Sequence, residues 1–291
     1  MKQKGKMSGK KLKQMFVTYT FVLLVFIIIP IIYSFYMSLY DWNFANIKQF
    51  IGIQNYVTMF SDSEWWQSLG RTFKLTLLYV PALFILSILF AVLINYVKNE
   101  KAAGFVKTAF LLPYSITSVI ASCLWMFLYM DRSGFINVFL KAFGLKGEKF
   151  LGSTSQAMVC IAVVLIWINL GYNIILFLSA IKDIPYSYYE AAKLDGANSW
   201  QTFWKITFPL LKPTSVFVLI TSVIASFQCL DLIMVMTGGG PAKSTEVASL
   251  YIYKQSFEMM KAGYGAGLSV VMFLILTVLA VIMLKINGKE E

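Results

Sequence analysis

The chain has 291 residues, of which 58% are hydrophobic and 13% are charged, against about 45–50% and 25% in soluble domains. Its formal net charge is +11 and it contains no histidine. The composition excludes an ordinary soluble enzyme. The lack of histidine excludes histidine-based zinc sites and histidine general bases, and no metal site is predicted.

Six apolar runs are long enough to cross a bilayer, because a helix of about 20 apolar residues spans its hydrocarbon core. Several of them contain proline or glycine, which membrane helices tolerate when their neighbours satisfy the freed backbone groups. The runs lie near residues 15–39, 72–97, 105–130, 156–181, 210–236 and 264–286. The sequence therefore predicts an all-α integral membrane protein with six transmembrane helices.

The lysine-rich segment 1–14 precedes the first run. A signal peptide is the alternative interpretation, but the run is too long and no small-residue cleavage site follows it. Lysine and arginine are more frequent on the side of this tail, although four basic residues in 131–155 weigh against that orientation. We therefore expect a cytoplasmic tail at 1–14, a transmembrane domain at 15–286 and a second cytoplasmic tail at 287–291.

The basic charge is interpreted as a signal for topology and for contact with membrane lipid. No basic patch interleaved with aromatic residues occurs, so nucleic acid is not expected as a partner. The three cysteines lie inside apolar runs and form no CxxC pair. The sequence contains no GxxxxGK[ST] phosphate-binding loop, so any ATP hydrolysis would belong to another chain.

The polar segment 182–209 carries the strongest local signals. Ser187 and Glu190 have the spacing of a capping box at a helix start. Gly196 has the position of the residue that ends such a helix in a left-handed conformation. The pattern predicts a short helix and a sharp turn on the cytoplasmic side.

A second helix is predicted directly after this turn. Asn198 or Ser199 would cap its start, and Pro209 would mark the beginning of the next apolar run. The segment as a whole is therefore expected to form a rigid cytoplasmic helix pair.

Two segments on the opposite side are also distinctive. Residues 53–60 have the pattern of a short helix lying on the membrane surface. Thr237–Pro241 contains three consecutive glycines and a proline, which permit tight backbone paths, and we call it the GGP loop. An amphipathic helix with an i,i+4 pair, Lys254 and Glu258, is predicted to follow it within 237–262.

These motifs resemble a known family. The order Glu190-Ala-Ala, Gly196 and Ile206-Thr-Phe-Pro209 resembles the EAA signature of ABC-importer permeases, with Phe208 where leucine is usual. Leu112-Pro-Tyr114 and the GGP loop resemble segments of the carbohydrate-uptake subgroup. The likeness covers nearly the whole chain from about residue 15. It points to the type represented by the larger membrane subunit of the maltose transporter.

The resemblance implies a binding-protein-dependent sugar importer in the cell membrane of a bacterium or archaeon. In that family, two homologous permeases form a heterodimer on two ATPase subunits, and an extracytoplasmic protein delivers the solute. The permease has no catalytic residue and no cofactor of its own, since ATP and Mg²⁺ bind the partner ATPases. The resemblance does not identify the sugar.

The resemblance also implies a role for the EAA segment in contacting an ATPase. Glu190 either caps its helix or pairs with a basic group of the ATPase, and these roles are compatible. Asp195 is either a contact or a solvated turn residue, and Gly196 is a backbone requirement. The implied coupling residues are Glu190, Ala191, Ala192, Leu194, Asp195 and Gly196, with the apolar members forming the packed face.

Polar residues inside apolar runs are candidates for the solute path, because such residues are costly in a bilayer and tend to face cavities. Hydroxyl, amide and aromatic groups suit a neutral polyol. The alternative for each of them is helix–helix packing. The candidates are Tyr114, Ser118, Trp167, Asn169, Gly171, Tyr172, Asn173, Ser222, Ser226 and Gln228. Asp231 is interpreted instead as a residue that snorkels or anchors a loop at the end of its span.

Three other functions remain to be weighed. A phosphorylated polyol would need cations in the path, and none occurs at mid-depth. A membrane enzyme would need a nucleophile, a metal cluster or paired carboxylates within the spans, and none is found. A channel would not explain the capped cytoplasmic helix pair.

Overall fold

The computed structural model describes residues 17–45 and 48–287. The predicted tail at 1–14 and the last four residues of the chain lie outside the described residues. The described chain divides into two compact units. One comprises the described part of Met1–Ser63 together with Ile252–Leu274, and the other comprises Glu64–Tyr251 with the described part of Ile275–Glu291.

The first unit begins with a long apolar helix and a small β-hairpin. Its elements are α1 (Val17–Met37), β1 (Tyr40–Asp41), β2 (Gln49–Phe50) and α2 (Gln54–Ser61). The strands are antiparallel, with Tyr40 opposite Phe50. Helix α2 confirms the short helix predicted near 53–60.

The second unit is almost entirely helical. In chain order its helices are α3 (Ser63–Asn95), α4 (Glu100–Leu111), α5 (Ser118–Leu128), α6 (Phe135–Ala142), α7 (Ala157–Asp183), α8 (Tyr186–Leu194), α9 (Ser199–Leu210), α10 (Lys212–Phe227) and α11 (Asp231–Met236). Short 3₁₀ turns lie at Leu112–Ser115 and Phe150–Gly152. The helices at the end of the chain, α12 (Ala248–Tyr253) and α13 (Ala262–Asn287), each have residues in both units.

Four helices are long and apolar enough to cross a membrane. They are α1, α3, α7 and α13, and they match four of the six predicted spans. The third predicted span is a broken pair, since α4 with its 3₁₀ turn meets α5 at 101°. The fifth predicted span follows a bend of 67° between α9 and α10 and is interrupted again before α11. Within the described residues the number of candidate spans is therefore four, or up to six if each bent pair is one span.

The core of the second unit is formed where α3, α4, α7 and α10 meet. Phe177 and Ile174 of α7 are fully buried there, beside Ala91 of α3 and Val218 of α10. Burying each large apolar side chain contributes about 1.5–3 kcal/mol where the alternative is water. This core fixes the ends of the helices that carry the two candidate sites described below.

Candidate functional site

Two helix breaks meet around one cavity. Backbone angles at Ile116 and Thr117 are extended, which ends the 3₁₀ turn, and the Thr117 hydroxyl accepts a hydrogen bond from the Ile120 amide to start α5. The second break separates α10 from α11 at residues 228–230. A cavity of about 390 Å³ lies between the breaks and α7, and we call it the break cavity.

Four of the predicted path residues line the break cavity. They are Tyr114, Ser118, Asn169 and Gln228. The Asn169 side-chain amide donates to the Leu165 carbonyl at 2.9 Å. The Asn169 Oδ1 atom and the second amide hydrogen remain available to a ligand. The break cavity thus joins a phenol, a hydroxyl and two amides contributed by four different segments.

Two further path candidates lie beside these residues without lining the break cavity. The Tyr172 ring stacks on the Tyr114 ring, with centroids 4.9 Å apart and an angle of 10° between the planes. Trp167 packs edge-on against Trp125, with centroids 5.6 Å apart. The Tyr172 ring therefore supports Tyr114, a residue of the cavity wall, whereas Trp125, the partner of Trp167, does not line the break cavity.

The remaining path candidates occupy helix contacts. Ser226 is fully buried, and its hydroxyl lies 2.8 Å from that of Thr76 on α3. Ser222 is also buried, and its hydroxyl forms a hydrogen bond with Tyr79, which like Thr76 lies on α3. These hydroxyls hold α10 against α3, as small polar residues do in membrane helix pairs.

Gly171 and Asn173 belong to the same group. The Gly171 backbone approaches Phe110 so closely that a side chain has no space. The Asn173 amide nitrogen donates to the Asn169 carbonyl at 2.9 Å, and the residue is buried. Neither residue lines the break cavity.

The sequence interpretation did not place in the path the one carboxylate that the structure shows in the described wall of the break cavity. Asp231, assigned there to snorkelling or loop anchoring, lines the cavity as an exposed carboxylate at the start of α11. Its position next to the polar Gln228 in an apolar run was the available signal, because ionisable residues inside spans usually mark a pathway.

The predicted helix and turn of the EAA segment are present. Gly196 has φ +76° and ends α8. The Gly196 amide donates to the Lys193 carbonyl at 3.1 Å, and the Ala197 amide donates to the Ala192 carbonyl at 2.9 Å. This pair of bonds is a Schellman motif, which satisfies carbonyls at the helix end. The prediction for Gly196 is confirmed.

The capping box predicted at Ser187 and Glu190 is wrong. Helix α8 already begins at Tyr186, with Pro185 at the N-cap and no side-chain cap. Ser187 is therefore the second helical residue, where its hydroxyl cannot cap the first turn. The capping box lies instead at the start of α9, where Asn198 accepts from the Gln201 amide at 2.8 Å and Gln201 accepts from the Asn198 amide at 3.0 Å.

The other EAA residues differ in exposure. Ala192 is buried against the chain itself, whereas Glu190, Ala191 and Asp195 are exposed. Leu194 is 89% exposed, which is unusual for a leucine beside a rigid turn. Within this chain the predicted packed face therefore consists of Ala192 alone, and Leu194 is available to a partner.

Helix α8 also contacts α9. The Tyr189 hydroxyl lies 3.2 Å from that of Thr207, in a π-helical turn at Phe203–Thr207 within α9. A cavity of about 580 Å³ separates these helices from the ends of α3 and α7. The helix pair is thus braced by a few contacts around an open space.

The GGP loop and the residues after it are anchored to the start of α3. The Ala248 amide donates to the Thr72 hydroxyl at 2.9 Å, and the Lys243 ammonium donates to the Glu64 carboxylate. This bond raises the pKa of Lys243 above its ordinary value. Arg71 lies 3.9 Å from the same carboxylate. The predicted pair Lys254 and Glu258 lies in a π-helical turn that continues α12.

The family model and the related proteins that match this chain indicate the same protein family. Residues 50–288 match the family described as the binding-protein-dependent transport system inner membrane component. A probable ABC transporter permease, YurN of Bacillus subtilis, is 32% identical, covering 97% of this chain and 99% of its own length. The trehalose/maltose transport system permease MalF of Thermococcus litoralis is 31% identical, covering 91% and 90%. The sn-glycerol-3-phosphate permease UgpA of Escherichia coli O6:K15:H31 is 33% identical, covering 84% and 83%.

Solved structures agree with these relatives. A chain of a bacterial ABC transporter involved in import of the acidic polysaccharide alginate matches with a TM-score of 0.82 and 25% identity, covering 96% of this chain and 95% of that one. A second structure shows an alginate transporter in complex with a periplasmic protein bound to an alginate pentasaccharide, with a TM-score of 0.80, 25% identity and coverage of 95% and 92%. The chain therefore belongs to the binding-protein-dependent transport system inner membrane components, the multi-pass permeases of ABC transporters.

Proposed function

We propose that this chain is the permease of a sugar or oligosaccharide importer and that the break cavity is its share of the solute path. The observation that carries the proposal is the meeting of two interrupted apolar helices around convergent polar groups. Transporters bind solutes where discontinuous helices leave backbone and polar side chains facing a cavity. A purely structural break would not need Tyr114, Asn169 and Gln228 on one wall.

The chemistry of the break cavity supports a polyhydroxylated cargo. Hydroxyl and amide groups form hydrogen bonds with sugar hydroxyls, and the Tyr114 ring offers an aromatic face. Tyr114, Ser118, Asn169 and Gln228 would contact the solute. Trp167 and Tyr172 would hold the aromatic wall, while Gly171, Asn173, Ser222 and Ser226 would keep the helices in place. Relatives named for trehalose and maltose support the sugar class.

The second part of the proposal concerns coupling. Helix α8, ended by Gly196 and presenting Leu194, would dock in a cleft of a partner ATPase. Glu190, Ala191 and Asp195 would border the contact, and Ala192 would hold α8 on its own chain. ATP and Mg²⁺ would bind that ATPase, so that its closure moves α8 together with the helices behind it.

The assembly would contain this chain, a second homologous permease and two ATPase subunits. An extracytoplasmic binding protein would deliver the sugar, as the periplasmic protein in the alginate transporter complex suggests. The chain would cross the bacterial or archaeal cell membrane six times, with each bent pair counted as one span and both termini in the cytoplasm. Helix α8 would then face the ATPases and the GGP loop would face the binding protein.

A phosphorylated polyol is the second candidate cargo, because one relative is named for sn-glycerol-3-phosphate transport. The two cargo classes differ in charge, so the charges in the wall of the break cavity bear on the choice.

The test is reconstitution in lipid of this chain with its partner permease, ATPase and binding protein. We expect ATP hydrolysis to rise when the binding protein is loaded with one member of a sugar panel, and not when it is empty. The matched cavity variant is Asn169→Leu, and the control is Asn43→Leu, at a half-buried position outside the break cavity. Hydrolysis that ignores every loaded sugar, or an ATPase that never associates, would contradict the proposal.

A further inference from the structure

We propose that Asp231 makes the break cavity selective by charge, so that the cargo is a neutral or amine-bearing sugar and anionic sugars are rejected. This inference rests on the proposed function and names the substrate class of the same site. The structural basis is an exposed carboxylate, placed among the polar groups of the break cavity, that no cation of the described chain neutralises.

The charge on the described wall of the break cavity is negative only. Among the described residues that line the break cavity, Asp231 is the only carboxylic acid, and no lysine or arginine is present. Within residues 17–45 and 48–287, the Asp231 carboxylate has no hydrogen-bond or ion-pair partner. An exposed carboxylate without a partner in the described chain is free to accept a hydrogen bond from a ligand that donates.

The hydrogen-bonding groups also favour a donor-rich ligand. A carboxylate only accepts hydrogen bonds, and one of the two Asn169 amide hydrogens is already donated to the Leu165 carbonyl. The Asn169 Oδ1 atom is a further acceptor. Tyr114 and Gln228, which also line the break cavity, can each both donate and accept hydrogen bonds. Sugar hydroxyls and ammonium groups donate to such acceptors, whereas a phosphate or uronate oxygen does not.

Simple electrostatics gives the size of the effect. Two like charges about 4 Å apart repel, at the effective dielectric near a protein surface, by more than the amount that changes binding about tenfold. A cationic group of the site would have to offset this for an anionic cargo, and the described wall of this chain offers none. The family fold does not fix the cargo charge, because the matching structures include a transporter of the acidic polysaccharide alginate.

The test uses the assembled importer in lipid nanodiscs without its binding protein, so that the specificity of that protein does not enter. The probes are D-glucose, D-glucosamine and D-glucuronate, which share one pyranose ring and differ in charge. Binding is measured by saturation-transfer difference NMR at mildly acidic pH, where glucosamine is protonated. This method detects weak binding of small sugars.

We expect glucose and glucosamine to bind the wild-type importer and glucuronate to bind at least about tenfold more weakly. Asp231→Asn should raise the ratio of glucuronate to glucose binding about tenfold and remove any preference for glucosamine. Asp231→Glu, which keeps the charge, should preserve the wild-type order. Glu148→Gln is the matched control, because Glu148 lies in the segment before α7, outside the break cavity.

Equal binding of glucuronate and glucose to the wild type would overturn the proposal, as would an Asp231→Asn variant with unchanged ratios. If none of the three sugars binds while loaded binding protein still stimulates ATP hydrolysis, the charge selectivity is refuted and the importer function stands. If that stimulation is absent as well, the proposed function itself fails.

Discussion

A Cβ atom on Gly171 would lie 1.9 Å from the carbonyl oxygen of Phe110. This approach brings the middle of α7 against the end of α4, directly before the Leu112–Ser115 turn that leads into the break cavity. The absence of a side chain at Gly171 therefore sets the position of that turn. A residue expected from the sequence to lie at the solute has a packing role in the structure.

Gly171→Ala should destabilise the protein by at least about 2 kcal/mol, because the added methyl group meets backbone atoms that cannot move independently. The measurement is thermal unfolding of the purified protein in detergent. Gly104→Ala is the matched control, since a Cβ on Gly104 of α4 meets nothing within 4 Å, and alanine stabilises an open helix by up to about 1 kcal/mol. Equal effects of the two changes would contradict the packing role.

Asn137 should be essential for the segment between α5 and α7. It is fully buried, its amide nitrogen donates to the carbonyls of Asp131 at 2.6 Å and Glu148 at 2.8 Å, and its oxygen accepts from the Glu148 amide at 2.8 Å. Asn137→Ala leaves these backbone groups without partners, at about 1–3 kcal/mol for each buried group.

Hydrogen exchange followed by mass spectrometry provides the readout for Asn137→Ala. We expect faster exchange across residues 131–156 and little change in α3. Ser133→Ala, at an exposed position in the same segment, should exchange like the wild type. Unchanged protection in Asn137→Ala would show that the hydrogen bonds of the Asn137 side chain are not needed to hold this segment.

Leu194→Ser should separate folding from partner binding. Leu194 is 89% exposed, so its loss should change the free energy of unfolding by less than about 0.5 kcal/mol. If Leu194 docks in the ATPase, co-purification of the ATPase with the variant should fall clearly. The control is Leu145→Ser, since Leu145 is also exposed and directly follows Gly144, which ends α6. This variant should retain the ATPase. Full retention by Leu194→Ser would remove Leu194 from the interface.

Much of the helix architecture could be predicted from the sequence because it depends on local signals. Apolar length identified α1, α3, α7 and α13, and the conformational freedom of glycine identified the end of α8 at Gly196. Asn198 was named as one of two possible caps for α9, and its side chain does cap that helix.

The helix breaks that form the break cavity could not be predicted in the same way. Hydropathy averages over a window and does not register the extended residues Ile116 and Thr117, whose conformation depends on packing against α7. The Ser187 cap failed for a smaller reason, since Pro185 is the N-cap and the helix starts two residues earlier than predicted. The placement of Asp231 in the cavity wall required the fold, because it depends on α11 turning back along α5.

Two glycines allow a direct test of the coupling role proposed for α8. Gly196 and Gly144 both have φ +76°, both end a helix with the same pair of Schellman bonds, and a Cβ on either meets nothing within 4 Å. Valine at either position should therefore cost a similar local strain of about 1–2 kcal/mol. Only Gly196 lies in the EAA segment.

The measurement is sugar-stimulated ATP hydrolysis by the reconstituted importer carrying Gly196→Val or Gly144→Val, with assembly checked by co-purification. We predict that Gly196→Val lowers the stimulation at least about tenfold, the change that about 1.4 kcal/mol produces in an equilibrium, while Gly144→Val keeps it. Equal stimulation in both variants, or equal loss, would contradict a coupling role for the turn at Gly196.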